Sequence, residues 1–267
     1  MSPDASWTFA PGVLLTLAVA AGLYGVRWRR ARAEPGHAPS VVRLAAFAGG
    51  LLAVLIALVS PIDRLAEQLL VMHMVQHVLL LDVAPVLLIL GLTKVILRPV
   101  TRRVTAFERR AGPLAHPGFA VALYVLTMWA WHVPALYDAA LRHDAIHVLE
   151  HVTFAVAGGL YWWHLLSPIR ARARLGGLGP VAYMASTKLL VGLLGIVLTF
   201  APSALYAFYS QGPRSWGLSA RDDQSLAGLV MALEQSLTMG VALAVLFFRM
   251  LAESERDEQR AERYGVT

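Results

Sequence analysis

Histidines at helical spacing are the residues of this sequence best suited to chemistry. His73 and His77 are four residues apart. The same spacing recurs in His143, His147 and His151. Residues four apart lie on one face of a helix, and neutral imidazole is the commonest metal ligand in proteins. The two sets therefore predict a metal site between two helices.

Methionine and one further histidine extend the set of candidate ligands. Met74 is next to His73, Met231 falls in a later apolar run, and His132 follows another such run. The chain contains no cysteine, so thiolate ligands are excluded. Imidazole and thioether together suit copper, especially Cu(I), and histidine alone would also accept zinc. The expected ligands are His73, His77, His132, His143, His147, His151, Met74, Met231 and Asp223.

Two carboxylates accompany these side chains. Asp223 precedes the last apolar run, where it can cap the helix N-terminus, bind the ion or orient an imidazole. Glu150 lies between His147 and His151, where it can accept a hydrogen bond from a ligand histidine. Both carboxylates therefore belong to the chemistry that the histidines predict.

The elements that must position these side chains are apolar runs long enough to cross a membrane. The chain has 267 residues, of which 57% are hydrophobic and 15% charged, and its mean hydropathy is +0.59. Seven runs can each span about 30 Å of hydrocarbon as a helix. They cover approximately 9–27, 41–59, 68–93, 118–136, 144–166, 180–202 and 224–250. Because backbone groups in lipid must bond internally, we predict one all-α domain over 1–267, a bundle of seven transmembrane helices.

Basic residues set the predicted orientation of this bundle. The chain has 23 Lys+Arg against 17 Asp+Glu. Eighteen of the basic residues fall on one side of the predicted membrane and four on the other. The positive-inside rule then places the N-terminus outside, the C-terminus in the cytoplasm and the clustered histidines at the outer face. Residues 252–267 form a charged cytoplasmic tail, expected to extend the last helix. Membrane topology explains the positive charge, so no nucleic-acid partner is expected.

Two charged residues fall inside the predicted spans. Lys188 lies near the middle of the sixth run and Glu234 near the middle of the seventh. Either charge alone would be costly in hydrocarbon. We therefore expect the two side chains to form a charge-neutralising pair.

Four stretches, taken in order, resemble the multi-spanning cytochrome c oxidase assembly factor family called CtaG, found with caa-type oxidases. They are Met72–Leu80 with Ala84-Pro85 and Leu90-Gly91, then Trp131–Tyr137, then His147 to His151, and Asp223-Gln224 with Ala227-Gly228 and Met231. The resemblance covers residues 45–250. The sequence departs from the family pattern at Trp162-Trp163-His164, where Trp-Trp-Pro is expected.

The resemblance implies a role in maturing a haem–copper oxidase in the bacterial plasma membrane. The chain would hold or deliver copper without catalytic turnover. Its partners would then be the lipid bilayer and either an oxidase subunit or a copper donor protein. In this hypothesis the sets at 73 and 77 and at 147 and 151 are primary ligands, and His132, His143, Met74 or Met231 are transfer ligands.

Other functions fit the residues alone. An intramembrane zinc hydrolase would use three histidines around zinc, with Asp223 or Glu150 as the base. A b-type haem carrier would need one histidine from each of two facing helices, such as His77 and His147. A proton relay through the histidines is a further alternative.

Overall fold

A computed structural model describes residues 3–264 except 35, 37, 170–174 and 212–215. All regular secondary structure among these residues is helical, as the sequence predicts. In chain order the elements are α1 (Pro11–Ala33), α2 (Val41–Val59), α3 (Pro61–Ala66), α4 (Leu70–Val78), a π-helix (Leu79–Val83), α5 (Ala84–Gly91), α6 (Lys94–Ala111), a 3₁₀-helix (Gly112–Ala115), α7 (Pro117–Trp131), α8 (Pro134–Arg142), α9 (Asp144–Leu166), α10 (Gly179–Phe200), α11 (Ala207–Gln211) and α12 (Ala220–Tyr264).

Four helical segments within the described residues are long and apolar enough to cross a membrane. They are α1, α2, α10 and the continuous unit Leu70–Gly91 that α4, the π-helix and α5 form. A fifth span results if Lys94–Ala115 and Pro117–Trp131, which meet at 66°, are one bent segment. These helices support a membrane protein, whereas the count of seven spans stays a prediction.

The orientation of the chain also stays a prediction. Four arginines that enter the charge argument lie outside the described residues. They are Arg170, Arg172, Arg174 and Arg214.

The fourth predicted span is shorter than the sequence indicates. Helix α7 ends at Trp131 instead of continuing to 136, and α8 begins at Pro134. Proline restricts the residue before it to extended conformations, and Val133 has a ψ of 123°. The chain therefore turns at this point, and His132 lies at the end of α7.

A second difference is helix α6, where the sequence analysis places a loop. Thr93 caps this helix by accepting a hydrogen bond from the Ile96 N–H at 3.2 Å. Ile96 is buried against Tyr24 and Trp28 of α1, while Phe107 is exposed. The segment is thus a basic amphipathic helix, whose apolar residues recur at helical spacing between its arginines.

The π-helix and α9 pack with backbone against backbone. A β-carbon added to Gly158 of α9 would overlap the carbonyl oxygen of Leu81 in the π-helix. Glycine here permits the close approach that small residues provide between membrane helices. This contact sets the distance between the histidines of α4 and those of α9.

Helix α12 is the longest element. Its 45 residues extend about 67 Å at 1.5 Å per residue, more than a bilayer requires. The helix continues without a break from the last apolar run to residue 264, so the charged tail extends the helix as expected. Gly228 packs α12 closely on α10, because an added β-carbon would lie 2.6 Å from the Gly195 carbonyl oxygen.

Candidate metal centre

Four side chains from two helices converge near the ends of α4 and α9. We call them the His–Glu cluster: His73, His147, Glu150 and His151. One ligand atom from each residue lies within 4.8 Å of the others. His73 and Glu150 are 0% exposed, whereas His147 and His151 are partly exposed. The structure brings these three histidines together, and their binding of a metal stays a prediction.

His77 lies beside the cluster on the next turn of α4. Its Nε2 is 3.6 Å from Glu150 Oε1, and the His73 Nε2 is 3.7 Å from Glu150 Oε2. Both distances exceed that of a normal hydrogen bond. A tetrahedral ion with bonds of about 2.0 to 2.1 Å holds its ligand atoms about 3.3 Å apart. A small contraction would therefore place these atoms around one ion.

The inward-facing atoms of this group have no hydrogen-bond donor among the described residues. These atoms are both carboxylate oxygens of Glu150 and the Nε2 atoms of His73, His77, His147 and His151. Buried polar atoms are almost always paired, because leaving one unpaired costs about 1 to 3 kcal/mol. A bound cation would give several of these atoms a partner at once.

A tyrosine fixes the tautomer of His73. The hydroxyl of Tyr209 donates to the Ala66 carbonyl at 2.6 Å, so its single hydrogen is already used. Its oxygen must therefore accept from the Nδ1–H of His73 at 3.1 Å. The lone pair of His73 is then on Nε2, which faces Glu150. A hydrogen bond to the ring nitrogen that does not bind the metal orients a metal-binding imidazole.

Asp138 holds the short helix that carries Tyr209. Its two oxygens accept from the backbone N–H groups of Ala207 and Phe208 at 3.2 and 3.1 Å. These residues begin α11. The sequence analysis missed both Asp138 and Tyr209, although Asp138 directly follows the Trp131–Tyr137 motif. Tyr209 offered no local signal, because it lies 136 residues from His73.

Asp223 binds the backbone of α4. Its Oδ2 accepts from the Leu70 N–H at 2.7 Å and its Oδ1 from the Val71 N–H at 3.0 Å. The carboxylate thus caps the helix that carries His73, instead of its own helix, and lies outside the His–Glu cluster. The sequence analysis offered Asp223 as a cap for its own helix, and the carboxylate does cap a helix N-terminus, but that of α4. Its oxygens are engaged by α4, so Asp223 positions a ligand helix.

Three other predicted ligands form a separate group beside His77. His132 is buried, with its Nδ1 2.7 Å from the Met128 carbonyl oxygen and its Nε2 3.3 Å from Met74 Sδ. Met231 is also buried and lines a small cavity together with Met74 and Met128. His132, Met74 and Met231 are therefore close to the cluster without being part of it.

His143 is the predicted ligand that the structure places farthest toward solvent. It is exposed and precedes α9 as the N-cap residue. It lies outside the His–Glu cluster. A role as a transfer ligand stays a prediction.

A second buried carboxylate lies deeper in the bundle, in the π-helix. Asp82 accepts from the Tyr124 hydroxyl at 2.8 and 2.9 Å and from the Trp162 indole N–H at 2.7 Å. Gln235 in turn donates to the Tyr124 oxygen at 3.2 Å. We call these four residues the Asp82 network. The sequence analysis missed it, although an acid inside an apolar run is a recognisable signal.

The predicted pair of Lys188 and Glu234 stays a prediction. Glu234 Oε2 accepts from the Gln235 side chain at 3.1 Å. Glu234 also lines the small cavity beside His77. The glutamate is thus placed next to the Asp82 network.

The fold and the site together define a helical membrane protein with a buried group of potential metal ligands. The chain belongs to the Caa3_CtaG family, described as cytochrome c oxidase caa3 assembly factor, whose family model matches residues 22–253. This match confirms the resemblance seen in the motifs. Membership indicates an assembly factor for cytochrome c oxidase.

Curated relatives come from mycobacteria. The chain is 26% identical to the uncharacterized proteins Mb0105 of Mycobacterium bovis and MT0111 of Mycobacterium tuberculosis, and 24% identical to ML1998 of Mycobacterium leprae. Each alignment covers 96% of this chain and 40% of the relative. The chain therefore spans about two fifths of the length of these relatives. No solved structure matches the chain.

Proposed function

We propose that this chain binds copper at the His–Glu cluster and delivers it during assembly of a haem–copper oxidase. The observation that carries the proposal is the group of buried imidazole and carboxylate atoms without a hydrogen-bond partner among the described residues. The family description supplies the context of oxidase assembly. Copper is here the cargo of the protein.

The ligand types favour copper over harder ions. Imidazole nitrogen suits copper and zinc, whereas magnesium and calcium require mainly oxygen. Met74 Sδ lies 3.3 Å from the buried His132 Nε2, directly beside the cluster. Thioether sulfur near the imidazoles favours copper over zinc.

The exposure of the ligands suggests how cargo enters and leaves. His73 and Glu150 are fully buried, whereas His147 and His151 are partly exposed along one face of α9. We expect the ion to exchange on that side of α9. Such an asymmetric site can hold copper away from water and still release it to an oxidase subunit or accept it from a donor protein.

The proposal includes a membrane arrangement. We place seven spans at α1, α2, Leu70–Gly91, α7, α9, α10 and α12, with the N-terminus outside the bacterial plasma membrane. Helix α9 carries His147, Glu150 and His151, whose polarity lowers its mean hydropathy although it has 23 residues. These side chains face the cluster and not lipid, so α9 can still cross the bilayer. The cluster then lies in the outer half.

A b-type haem is disfavoured by the packing of the imidazoles. The ring of His77 lies 4.3 Å from that of His73 and 4.4 Å from that of Phe154, measured between centroids. An axial ligand needs a flat macrocycle against its ring nitrogen, and these neighbours fill the space. A zinc hydrolase using Glu150 remains the alternative, and zinc content with hydrolytic turnover would replace the proposal.

The test is oxidase maturation in cells. A host lacking this chain is complemented with the wild type, with His147→Ala/His151→Ala, or with His164→Ala. His164 is the matched control, since it lies on the same helix about 20 Å from His151. We expect the wild type and the control to restore copper content and activity of the oxidase. Full restoration by the double variant would contradict delivery through the cluster.

A further inference from the structure

The contact between His132 and Met74 brings together two atoms that both accept. His132 Nε2 lies 3.3 Å from Met74 Sδ, and both residues are buried, with 5% and 1% exposure. A thioether sulfur has no hydrogen to donate. The character of this contact therefore depends on which ring nitrogen of His132 carries the proton.

The backbone decides that tautomer. His132 Nδ1 lies 2.7 Å from the carbonyl oxygen of Met128, which can only accept. Nδ1 must therefore carry the hydrogen, and in neutral imidazole the lone pair is then on Nε2. Nε2 points at the sulfur of Met74, so two lone pairs face each other. An imidazolium would remove the conflict, but a buried charge without an opposing charge is costly.

A soft cation would satisfy both atoms. Two ligand atoms on one ion, with bonds of about 2.0 to 2.3 Å at a tetrahedral angle, lie about 3.5 Å apart. The observed 3.3 Å is close to this separation. The angle also leaves room for a third and a fourth ligand on the same ion.

Further candidate ligands line a cavity that Met74 shares. Met128 and Met231 line a small cavity with Met74 and His77, and this cavity has room for about one water-sized sphere, about 10 Å³. Three methionines, from α4, α7 and α12, thus line one cavity. Both ring nitrogens of His77 lack a hydrogen-bond partner among the described residues, and His77 also lies beside Glu150.

We propose a second metal site that takes a soft monovalent ion, Cu(I) or its analogue Ag(I). We call it the thioether site: His132 Nε2 and Met74 Sδ, completed by Met128 or Met231. The sequence analysis named three of these residues, and Met128 is new. His77 lies between the thioether site and the His–Glu cluster, so it can pass an ion from one to the other. The identity of the cargo rests on the proposed function.

The test compares a soft and a borderline ion on the full-length, detergent-purified protein. Met74→Leu removes the sulfur and nearly conserves volume, and Met184→Leu is the matched control, a buried methionine of α10. Each protein is titrated with Ag(I) and, separately, with Zn²⁺. X-ray absorption of the Cu(I)-loaded protein then reports sulfur ligands directly.

We expect the wild type and Met184→Leu to bind about one more Ag(I) than Met74→Leu and to show sulfur scattering from Cu(I). Zn²⁺ bound at the His–Glu cluster should be the same in all three, which also shows that the variants are folded. Equal Ag(I) binding and unchanged sulfur scattering in Met74→Leu would overturn the thioether site.

Different results would contradict the proposed function at the His–Glu cluster and the proposed thioether site. Wild-type protein that binds neither Zn²⁺ nor copper at the cluster but retains sulfur-bound Cu(I) would contradict the proposed function and leave the thioether site standing. Copper bound only through nitrogen and oxygen in the wild type would overturn the thioether site and leave the cluster standing.

Discussion

Glu150 and Asp82 are two carboxylates buried to nearly the same degree, 0% and 1% exposed, in very different surroundings. Asp82 accepts from two donors, the Tyr124 hydroxyl, which lies within hydrogen-bond distance of both carboxylate oxygens, and the Trp162 indole N–H. Glu150 accepts none from the described residues and faces the Nε2 atoms of His73 and His77. Of these two acids, one is hydrogen-bonded and the other has no hydrogen-bond partner among the described residues.

This difference distinguishes buried polar groups that contribute to folding from buried polar groups that point to a function. Charge-assisted hydrogen bonds to a buried carboxylate contribute to stability, so the Asp82 network can be explained by folding alone. The facing nitrogen and oxygen atoms of the His–Glu cluster are not explained in this way, because each is buried without a hydrogen-bond partner among the described residues. The unpaired atoms of the His–Glu cluster therefore support the proposed metal site, whereas the hydrogen bonds of the Asp82 network give no reason to propose one.

The largest expected effect comes from the glycine that lies between the two regions. Gly158→Ala would place a methyl group against the Leu81 carbonyl, beside Asp82, and push α9 away from α4. We expect the variant to lose several kcal/mol of stability and to lose metal binding as well. Overpacking against side chains already costs about 1 to 3 kcal/mol, and here the added methyl group would overlap backbone atoms, which cannot rotate away. Thermal unfolding in detergent and metal content measure both effects.

Gly159→Ala is the control for this prediction. The neighbouring glycine has open space where its β-carbon would be. Alanine is favoured over glycine in a helix by about 0.5 to 1 kcal/mol, so this variant should be equally or slightly more stable. Similar behaviour of the two variants would show that the close approach of α9 is unimportant.

The acids themselves can be compared by matched substitutions. Glu150→Gln should lower metal affinity at least tenfold, about 1.4 kcal/mol, and leave the metal-free protein as stable as before, because the amide supplies donors to the imidazoles. Asp82→Asn should leave metal binding unchanged and lose about 1.5 to 3 kcal/mol of stability, because the amide replaces a charged acceptor. Metal titration and thermal unfolding distinguish the two patterns, and an exchange of these patterns would refute the comparison.

A smaller effect on metal affinity is expected from removing the Tyr209 hydroxyl, which contacts His73 Nδ1. Tyr209→Phe removes the oxygen that accepts from Nδ1 and should lower metal affinity about 10- to 100-fold. Tyr183→Phe is the control, since its hydroxyl also donates to a buried carbonyl but lies far from the cluster. Competition with a chromophoric chelator measures the affinities. Equal affinities of the two variants would remove Tyr209 from the site.

The smallest effect concerns the cap of α4. Asp223→Asn keeps the shape but loses one of the two hydrogen bonds to Leu70 and Val71, because the amide NH2 group cannot accept, which should cost about 1 kcal/mol and lower metal affinity a few-fold. Asp222→Asn changes the exposed neighbour, whose hydrogen bonds within the described part of the chain join it to Ser219 at its own helix end. We expect no change in metal affinity from that control, so a similar loss in both variants would argue against positioning through α4.

The sequence predicted what depends on local spacing. The intervals of four at His73 and His77 and at His147 and His151 placed each pair on one helical face, and these faces do meet. The helical class followed from the apolar runs in the same way. The bend after Trp131 was also readable from Val133-Pro134, although the predicted span crossed it.

What the sequence could not supply depends on contacts between distant parts of the chain. Asp223 caps α4 across 153 residues, and Tyr209 reaches His73 across 136. No local pattern specifies either partner. The roles of Glu150 and Asp82 differ only in which donors surround them, and the three-dimensional packing alone decides that.

The central claim, that the His–Glu cluster binds a metal, is tested most directly by elemental analysis of the purified protein. The wild type is compared with His73→Ala/His77→Ala, with His147→Ala/His151→Ala and with the control His164→Ala. Near-stoichiometric copper in the wild type and control, lost in both double variants, is the expected result. Copper retained in both double variants, or no metal in the wild type after loading with copper and zinc, would contradict the claim.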